Sequence, residues 1–318
     1  MDLQIALIHA LQLNNANWAP FFQYVSDFNE PEFFLLAIPL VLWCWNRTLG
    51  IRILVLIAIS GVVRDVIKLL THFPRPYWVS TDVQAFDSST SFSFPSGHSQ
   101  NAVIFFGLIA AEVKKRWVTV VCVFLVLVIG LARIFLAVHW PSDVLGGFVI
   151  GLILLFTYLH YEQRIVAWAS RRPFGIQLAL VFLASILLIL GSLLAMYLVS
   201  SWQMPDDWAA LALVQGGAGI DPFVAHKTPI AAGLFLGGLV GVVAGTRLDL
   251  AGTDGSIGKK AARYILGIAV LFAIWLLLGT VVDSIPDPGS YVVQYARATL
   301  AGLWITAGAP FLFRKAGL

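Results

Sequence analysis

A series of apolar runs, most of them near the length needed to cross a bilayer, leaves this chain little freedom in what it can fold into. They fall near residues 32–46, 50–70, 99–113, 117–137, 143–161, 175–200, 229–245, 261–282 and 294–313. A transmembrane helix needs roughly 20 apolar residues, and in hydrocarbon only helices and closed barrels satisfy their own backbone hydrogen bonds. The chain is 59% hydrophobic and only 12% charged, against roughly 25% charge in a soluble domain. The expected class is all-α: a polytopic membrane helical bundle with about nine transmembrane helices. Asp2–Leu13 is apolar but too short to span, and reads as an interfacial or re-entrant helix. A basic n-region and a small-residue cleavage site are missing from the start of the chain, so no signal peptide is expected. Cys44 and Cys122 both lie within apolar runs, which implies no disulfide framework.

The net charge of +3 is too small to argue for a nucleic-acid partner; where the charge falls matters more. Fourteen of the twenty basic residues lie in alternate loops and the tail. They run from Arg47 and Arg52 through Lys114–Arg116, Arg164, Arg171, Arg172, Arg247, Lys259, Lys260 and Arg263 to Arg314 and Lys315. By the positive-inside rule that face is cytoplasmic. The opposite, extracytoplasmic face carries Lys227 and Arg297, together with Lys68, Arg75 and Arg133. Arg64 lies deeper, within the second run.

Those last cations belong to three short stretches that gather most of the buried-looking charge. The first is Lys68, six residues, then Arg75-Pro76; the second is Pro95-Ser96-Gly97-His98; the third is Arg133, five residues, His139, three residues, Asp143. Pro74 and Pro76 stop any helix from continuing past Lys68. Arg75, held between them, can present a guanidinium fork to phosphate oxygens while Lys68 adds a point charge. Ser96 is suited to cap a helix, Gly97 allows close approach of a ligand to the backbone, and the free amides of a helix start favour an anion. His98 then stands where it could protonate a leaving oxygen. Asp143 follows His139 by four, so one helical turn could bring its carboxylate to the imidazole and leave the other ring nitrogen as an oriented nucleophile. The bland alternatives are cations snorkelling at helix ends, an ordinary cap with an incidental histidine, and a satisfied His–Asp pair. His72, His98, His139 and Asp143 could converge on a metal, yet no histidine or cysteine pair stands at ligand spacing and three cations would repel a divalent ion. The expectation is no metal and no cofactor.

KLLTHFPRP (68–76), PSGH (95–98) and ARIFLAVHWPSD (132–143) resemble the three signature motifs of the type 2 phosphatidic acid phosphatase superfamily. The resemblance covers about 1–165. It implies that His139 attacks phosphorus to form a phosphohistidine, that Asp143 supports it, and that His98 acts as the acid. Lys68, Arg75, Ser96, Gly97 and Arg133 would hold the phosphate. One position departs: the third motif usually opens Ser-Arg, and here Ala132 precedes Arg133. The expected organisation is a phosphatase core over 1–165 carrying all three motifs, followed by a C-terminal transmembrane extension of unknown role over 166–318.

The expected activity is hydrolysis of a phosphate monoester or diphosphate of a lipid (prenyl, glycerolipid or sphingoid) at the extracytoplasmic surface of the cell (inner) membrane or an equivalent. The main rival is a soluble sugar phosphate, as in the glucose-6-phosphatase branch, which Arg75-Pro76-Tyr77-Trp78 resembles. The loop 77–94 carries Tyr77, Trp78, Phe86, Phe92 and Phe94, many serines, and only Asp82 and Asp87 as charges. Such aromatics suit a lipid-facing rim and would also stack on a sugar. A transporter binding anions or phospholipids is the reading from another class, permitted by intramembrane Arg64 and Asp65.

Overall fold

A computed structural model describes residues 1–27, 31–215, 219–223 and 227–318. Within the polar, aromatic stretch Trp18–Glu32, residues 28–30 therefore lie outside the described residues. The described residues contain helices and no strand. In chain order these are α1 (Asp2–Gln12), α2 (Ala19–Asp27), α3 (Pro31–Cys44), α4 (Arg47–Thr71), α5 (Pro76–Val79), α6 (Gly97–Val113) and α7 (Arg116–Phe135). They continue with α8 (Pro141–Ser170), α9 (Phe174–Leu198), α10 (Asp206–Val214), α11 (Lys227–Gly245), α12 (Ile257–Ser284), α13 (Gly289–Leu303) and α14 (Ala309–Lys315).

Five helical stretches among the described residues are long and apolar enough to cross a membrane: Arg116–Phe135, Pro141–Ser170, Phe174–Leu198, Thr228–Gly245 and Ile257–Ser284. Their outer faces confirm which solvent they are built for. Val120, Phe124, Leu127, Phe156, Leu187 and Leu277 are all more than half exposed. Apolar surface of that extent marks a membrane contact rather than a water-facing monomer. The chain is an integral membrane protein. α4 equals these helices in length but carries Arg47, Arg52, Arg64, Asp65 and Lys68; α3 and α6 are shorter, at 14 and 17 residues.

The fold comprises two compact units, each assembled from three separate stretches of chain. The first unit takes Met1–Phe33, Val63–Leu155 and Leu193–Val224, and contains all three motifs. In it α6 packs on α7, α2 packs on α7, and α10 packs on α5. Contact between α6 and α8 depends on small residues. A Cβ on Gly147 would lie 2.5 Å from the Ser96 carbonyl oxygen, and one on Gly151 would lie 2.8 Å from that of Gln100. A methyl group at Gly147 would thus push α8 off the start of α6, where His98 stands.

The second unit takes Phe34–Val62, Phe156–Ser192 and Ala225–Leu318. Its most extensive helix pair is α11 on α13. The glycines spaced by four on α11 make this possible: a Cβ on Gly233 or Gly237 would collide with the carbonyl oxygens of Tyr295 and Thr299. Small residues that let backbones approach are the usual basis of helix association where lipid removes the hydrophobic driving force. Arg52 pairs with Glu162 at 2.9 Å in the same unit.

Candidate active site

The three motifs meet in the first unit. α4 ends at Thr71, and His72 adopts a left-handed φ of +49° that turns the chain away. Lys68, on the last turn of α4, is buried and donates from Nζ to the Phe92 carbonyl at 2.5 Å and to the Ser91 hydroxyl at 3.2 Å. Arg75 is 1% exposed. Its Nε donates to the Ser91 carbonyl at 2.7 Å, its Nη1 to the Val138 carbonyl at 2.6 Å, and its Nη2 to the Phe92 carbonyl at 3.2 Å. Burial of a guanidinium favours its neutral form, and Arg75 is accordingly brought down to about 10. It therefore stays charged at neutral pH. The two cations of the first motif thus share two anchors, the Phe92 carbonyl and the Ser91 hydroxyl.

α7 ends at Phe135, and Ala137 adopts a left-handed φ of +57°. That conformation costs a residue with a Cβ roughly 1–2 kcal/mol. The turn folds the chain back so that the His139 amide donates to the Arg133 carbonyl at 3.3 Å. His139 is 2% exposed. Its Nδ1 lies 3.3 Å from Asp143 Oδ2, and its Nε2 lies 3.5 Å from Arg75 Nη1. Asp143 Oδ2 also accepts from the Trp140 amide at 2.8 Å and from the Ser93 hydroxyl. A carboxylate on Nδ1 selects the tautomer with its proton there, which leaves the Nε2 lone pair directed at the guanidinium. Burial first, and then the charges of Arg75, Lys68, Arg133 and His98, hold the imidazole well below the usual histidine range. It is neutral at pH 7, the form a nucleophile requires.

The second motif joins the third through its backbone. Ser96 caps α6, accepting from the Ser99 amide at 3.4 Å, and its own amide donates to the Asp143 carbonyl at 3.0 Å. Gly97, the first residue of α6, is packed beneath Arg64, whose Cδ would lie 2.5 Å from a Cβ there. Arg64 in turn forms an ion pair with Asp65 at 2.7 Å. His98 is half-buried and close enough for its charge to bear on His139. Trp140 ties the third motif to the first by donating from its indole to the Pro74 carbonyl at 2.7 Å.

Arg133, expected to help hold the phosphate, is held by side chains from outside its own motif. It is buried, and its Nη1 donates to the Ser26 hydroxyl and to Asp87 Oδ2, the latter at 3.0 Å. Its charge still reaches Arg75 and His139. Ala132, at the position usually occupied by serine, is fully buried on α7. Among the described residues no group of three or more His, Cys, Asp or Glu side chains is placed to hold a metal ion, and His72 stacks on Trp202 instead.

Sequence reasoning missed Ser91, Phe92 and Ser93. Phe92 acts through its backbone carbonyl, which leaves no mark in side-chain identity, and Ser91 acts through both its carbonyl and its hydroxyl. Ser93 had a faint signal, the serine-rich run from Ser88 to Ser93, but nothing that set it apart from its neighbours.

A buried imidazole backed by a carboxylate, facing a guanidinium beside an ammonium, is an arrangement suited to receive an anionic group such as a phosphate. Comparison with known proteins agrees with that class. Residues 49–167 match the PAP2 superfamily, and residues 230–318 match the transmembrane extension of PAP2 superfamily phosphatases. Together these matches take in more than half of the chain, which belongs to the PAP2 superfamily. The chain is 30% identical over 125 residues to phosphatidylglycerophosphatase B of Bacillus subtilis, covering 36% of this chain and 59% of that one. It is 35% identical over 124 residues to the putative undecaprenyl-diphosphatase YbjG of Escherichia coli, covering 37% and 61%. A longer match, 27% identical over 234 residues, is to glucose-6-phosphatase 3 of Bos taurus, covering 64% and 63%. The chain thus spans about six-tenths of the length of these relatives.

Proposed function

We propose that this protein is a metal-independent membrane phosphatase that hydrolyses a phosphate monoester or diphosphate of a lipid through a phosphohistidine. The observation that carries the reading is the His139 imidazole, set between Asp143 on one nitrogen and Arg75 on the other. In the first step His139 Nε2 attacks phosphorus, the bond from phosphorus to the leaving oxygen breaks, and His98 gives that oxygen its proton. In the second step His98 takes a proton from water as the water attacks the phosphohistidine, releasing phosphate and restoring the imidazole. Lys68 and Arg75, with Ser96 and the Gly97 amide at the start of α6, stabilise the charge that accumulates on the phosphoryl oxygens. Arg133 joins them, with Asp87 as its partner in the resting site. The lipid relatives named above support the substrate class.

Hydrolysis of a soluble sugar phosphate is the second reading. It is favoured by the glucose-6-phosphatase 3 match, which runs over 234 residues where the two lipid relatives match about half as many. Phosphate release from purified protein, across prenyl, glycerolipid, sphingoid and sugar phosphates, separates the two. Turnover should persist in EDTA and should be inhibited by vanadate, which mimics pentacoordinate phosphorus. Loss in EDTA with recovery on adding a divalent ion would overturn the metal-free mechanism, and absence of phosphate release from every substrate would favour the transporter reading.

The same proposal places about nine helices across the membrane, with the site at its extracytoplasmic surface. This orientation rests on the fourteen basic residues of the opposite face. Ser88 and Lys115 are both exposed, so each can report on it. In a background with Cys44 and Cys122 replaced by alanine, Ser88→Cys should react with an impermeant thiol reagent applied to intact cells, and Lys115→Cys should not. The reverse pattern would place the chemistry in the cytoplasm.

A further inference from the structure

The stretch between α9 and α11 lies outside both family matches, which cover 49–167 and 230–318. Its described residues, 199–215 and 219–223, nonetheless belong to the same compact unit as the motifs, and their contacts converge on the loop that anchors Lys68 and Arg75. Trp202 stacks flat on His72, with ring centroids 4.4 Å apart and planes 13° apart, and meets Phe92 edge-on at 5.6 Å. Phe223 meets the same Phe92 ring edge-on at 5.5 Å. Trp208, on α10, lies 6.1 Å from Trp78. Phe92 is thereby fully buried in a ring cage, and its carbonyl is the oxygen shared by Lys68 Nζ and Arg75 Nη2.

Polar contacts grip the rest of that loop. The Asp221 amide donates to the Thr90 carbonyl at 3.1 Å, next to the Ser91 anchor. Gln215 donates from Nε2 to the Ser80 carbonyl at 2.7 Å and accepts from the Ala85 amide at 3.2 Å. Side chains supporting a binding constellation matter because a displacement of an ångström loosens every contact it makes. A ring cage that filled space alone would not need to close on the one residue whose carbonyl holds both cations.

We propose that Trp202 is a positioning residue for the phosphate site: by caging Phe92 it fixes the carbonyls that set the Lys68 and Arg75 head groups. Residues 199–215 and 219–223 are on this account a support of the site, supplied from beyond the core motifs. The proposal rests on the phosphatase reading given above.

The test is vanadate affinity of the full chain in detergent, measured by calorimetry and by inhibition, well below each variant's unfolding temperature. Trp202→Ala should weaken vanadate about tenfold and lower kcat/KM by a similar factor, since it removes several ring contacts at once. Trp202→Phe, which keeps a ring against His72 and Phe92, should stay within about threefold of the parent. Leu213→Ala, at an exposed position of α10, should change nothing. Vanadate binding in folded Trp202→Ala within twofold of the parent would overturn the proposal, because a merely structural ring would lower the unfolding temperature without altering the site. So would a Trp202→Phe variant as weak as Trp202→Ala. Should Trp202→Ala fail to fold, Gln215→Leu decides: losing two hydrogen bonds to the loop should weaken vanadate about threefold, and unchanged binding would overturn the proposal. A parent protein that neither binds vanadate nor releases phosphate would instead refute the phosphatase reading, and this inference with it.

Discussion

His139→Ala is expected to abolish phosphate release, by at least about a thousandfold, while leaving the protein folded. Its imidazole sits against Asp143 Oδ2 on one side and Arg75 Nη1 on the other. Removing a buried imidazole opens a cavity, so the variant's unfolding temperature is compared with the parent's beside its rate. A direct readout accompanies the rates. Brief incubation of the parent with labelled substrate, followed by alkaline quenching, should leave label on the protein in an acid-labile form, and His139→Ala should show none. Wild-type-like turnover in folded His139→Ala would end the covalent mechanism. Label retained by the variant would move the nucleophile elsewhere.

Removing His98 should separate good leaving groups from poor ones. As the acid, His98 matters when the departing oxygen is a strong base and matters little when it is a stabilised aryl oxide. His98→Ala should therefore lose roughly a hundredfold or more on an alkyl phosphate, and less than about tenfold on an activated aryl phosphate. His139→Ala should lose both alike, since attack on phosphorus precedes either product. The quantity to compare is the ratio of the two rates in each variant. If His98→Ala depresses both substrates equally, His98 acts as a cation of the phosphate site and the proton comes from elsewhere. Its place on the first turn of α6, beside the amides of Ser96 and Gly97, is compatible with either role.

Arg133 shows how a motif residue can be legible while its environment is not. Its place at the end of α7 follows from the apolar run that precedes it, and its membership of the third motif follows from spacing. Its resting partners, Ser26 and Asp87, lie 107 and 46 residues away in the chain. Nothing in the local pattern around Asp87 distinguishes it from Asp82, which makes no such pair here.

By itself the sequence determined the features set by local chemistry. Apolar runs near 20 residues in a chain with little charge pointed to helices in lipid, since a spanning strand of a barrel needs only about half that length and a helix satisfies its own backbone there. Ser96 capping α6 and Asp143 reaching His139 both follow from spacings of three or four residues along a helix or turn. The four-residue glycine stripe on α11 likewise announced a close helix contact. Only the tertiary structure decided what holds the cations. Lys68 and Arg75 share the Phe92 carbonyl and the Ser91 hydroxyl, and a carbonyl is offered alike by every residue type while one serine in a serine-rich run looks like the next. Phe92 is in turn caged by Trp202 and Phe223, more than a hundred residues further on. Phe92 read in the sequence only as an aromatic of a lipid-facing rim, and Trp202 and Phe223 carried no reading at all, because ring stacking between distant segments has no periodicity to detect and is fixed by how the chain returns on itself.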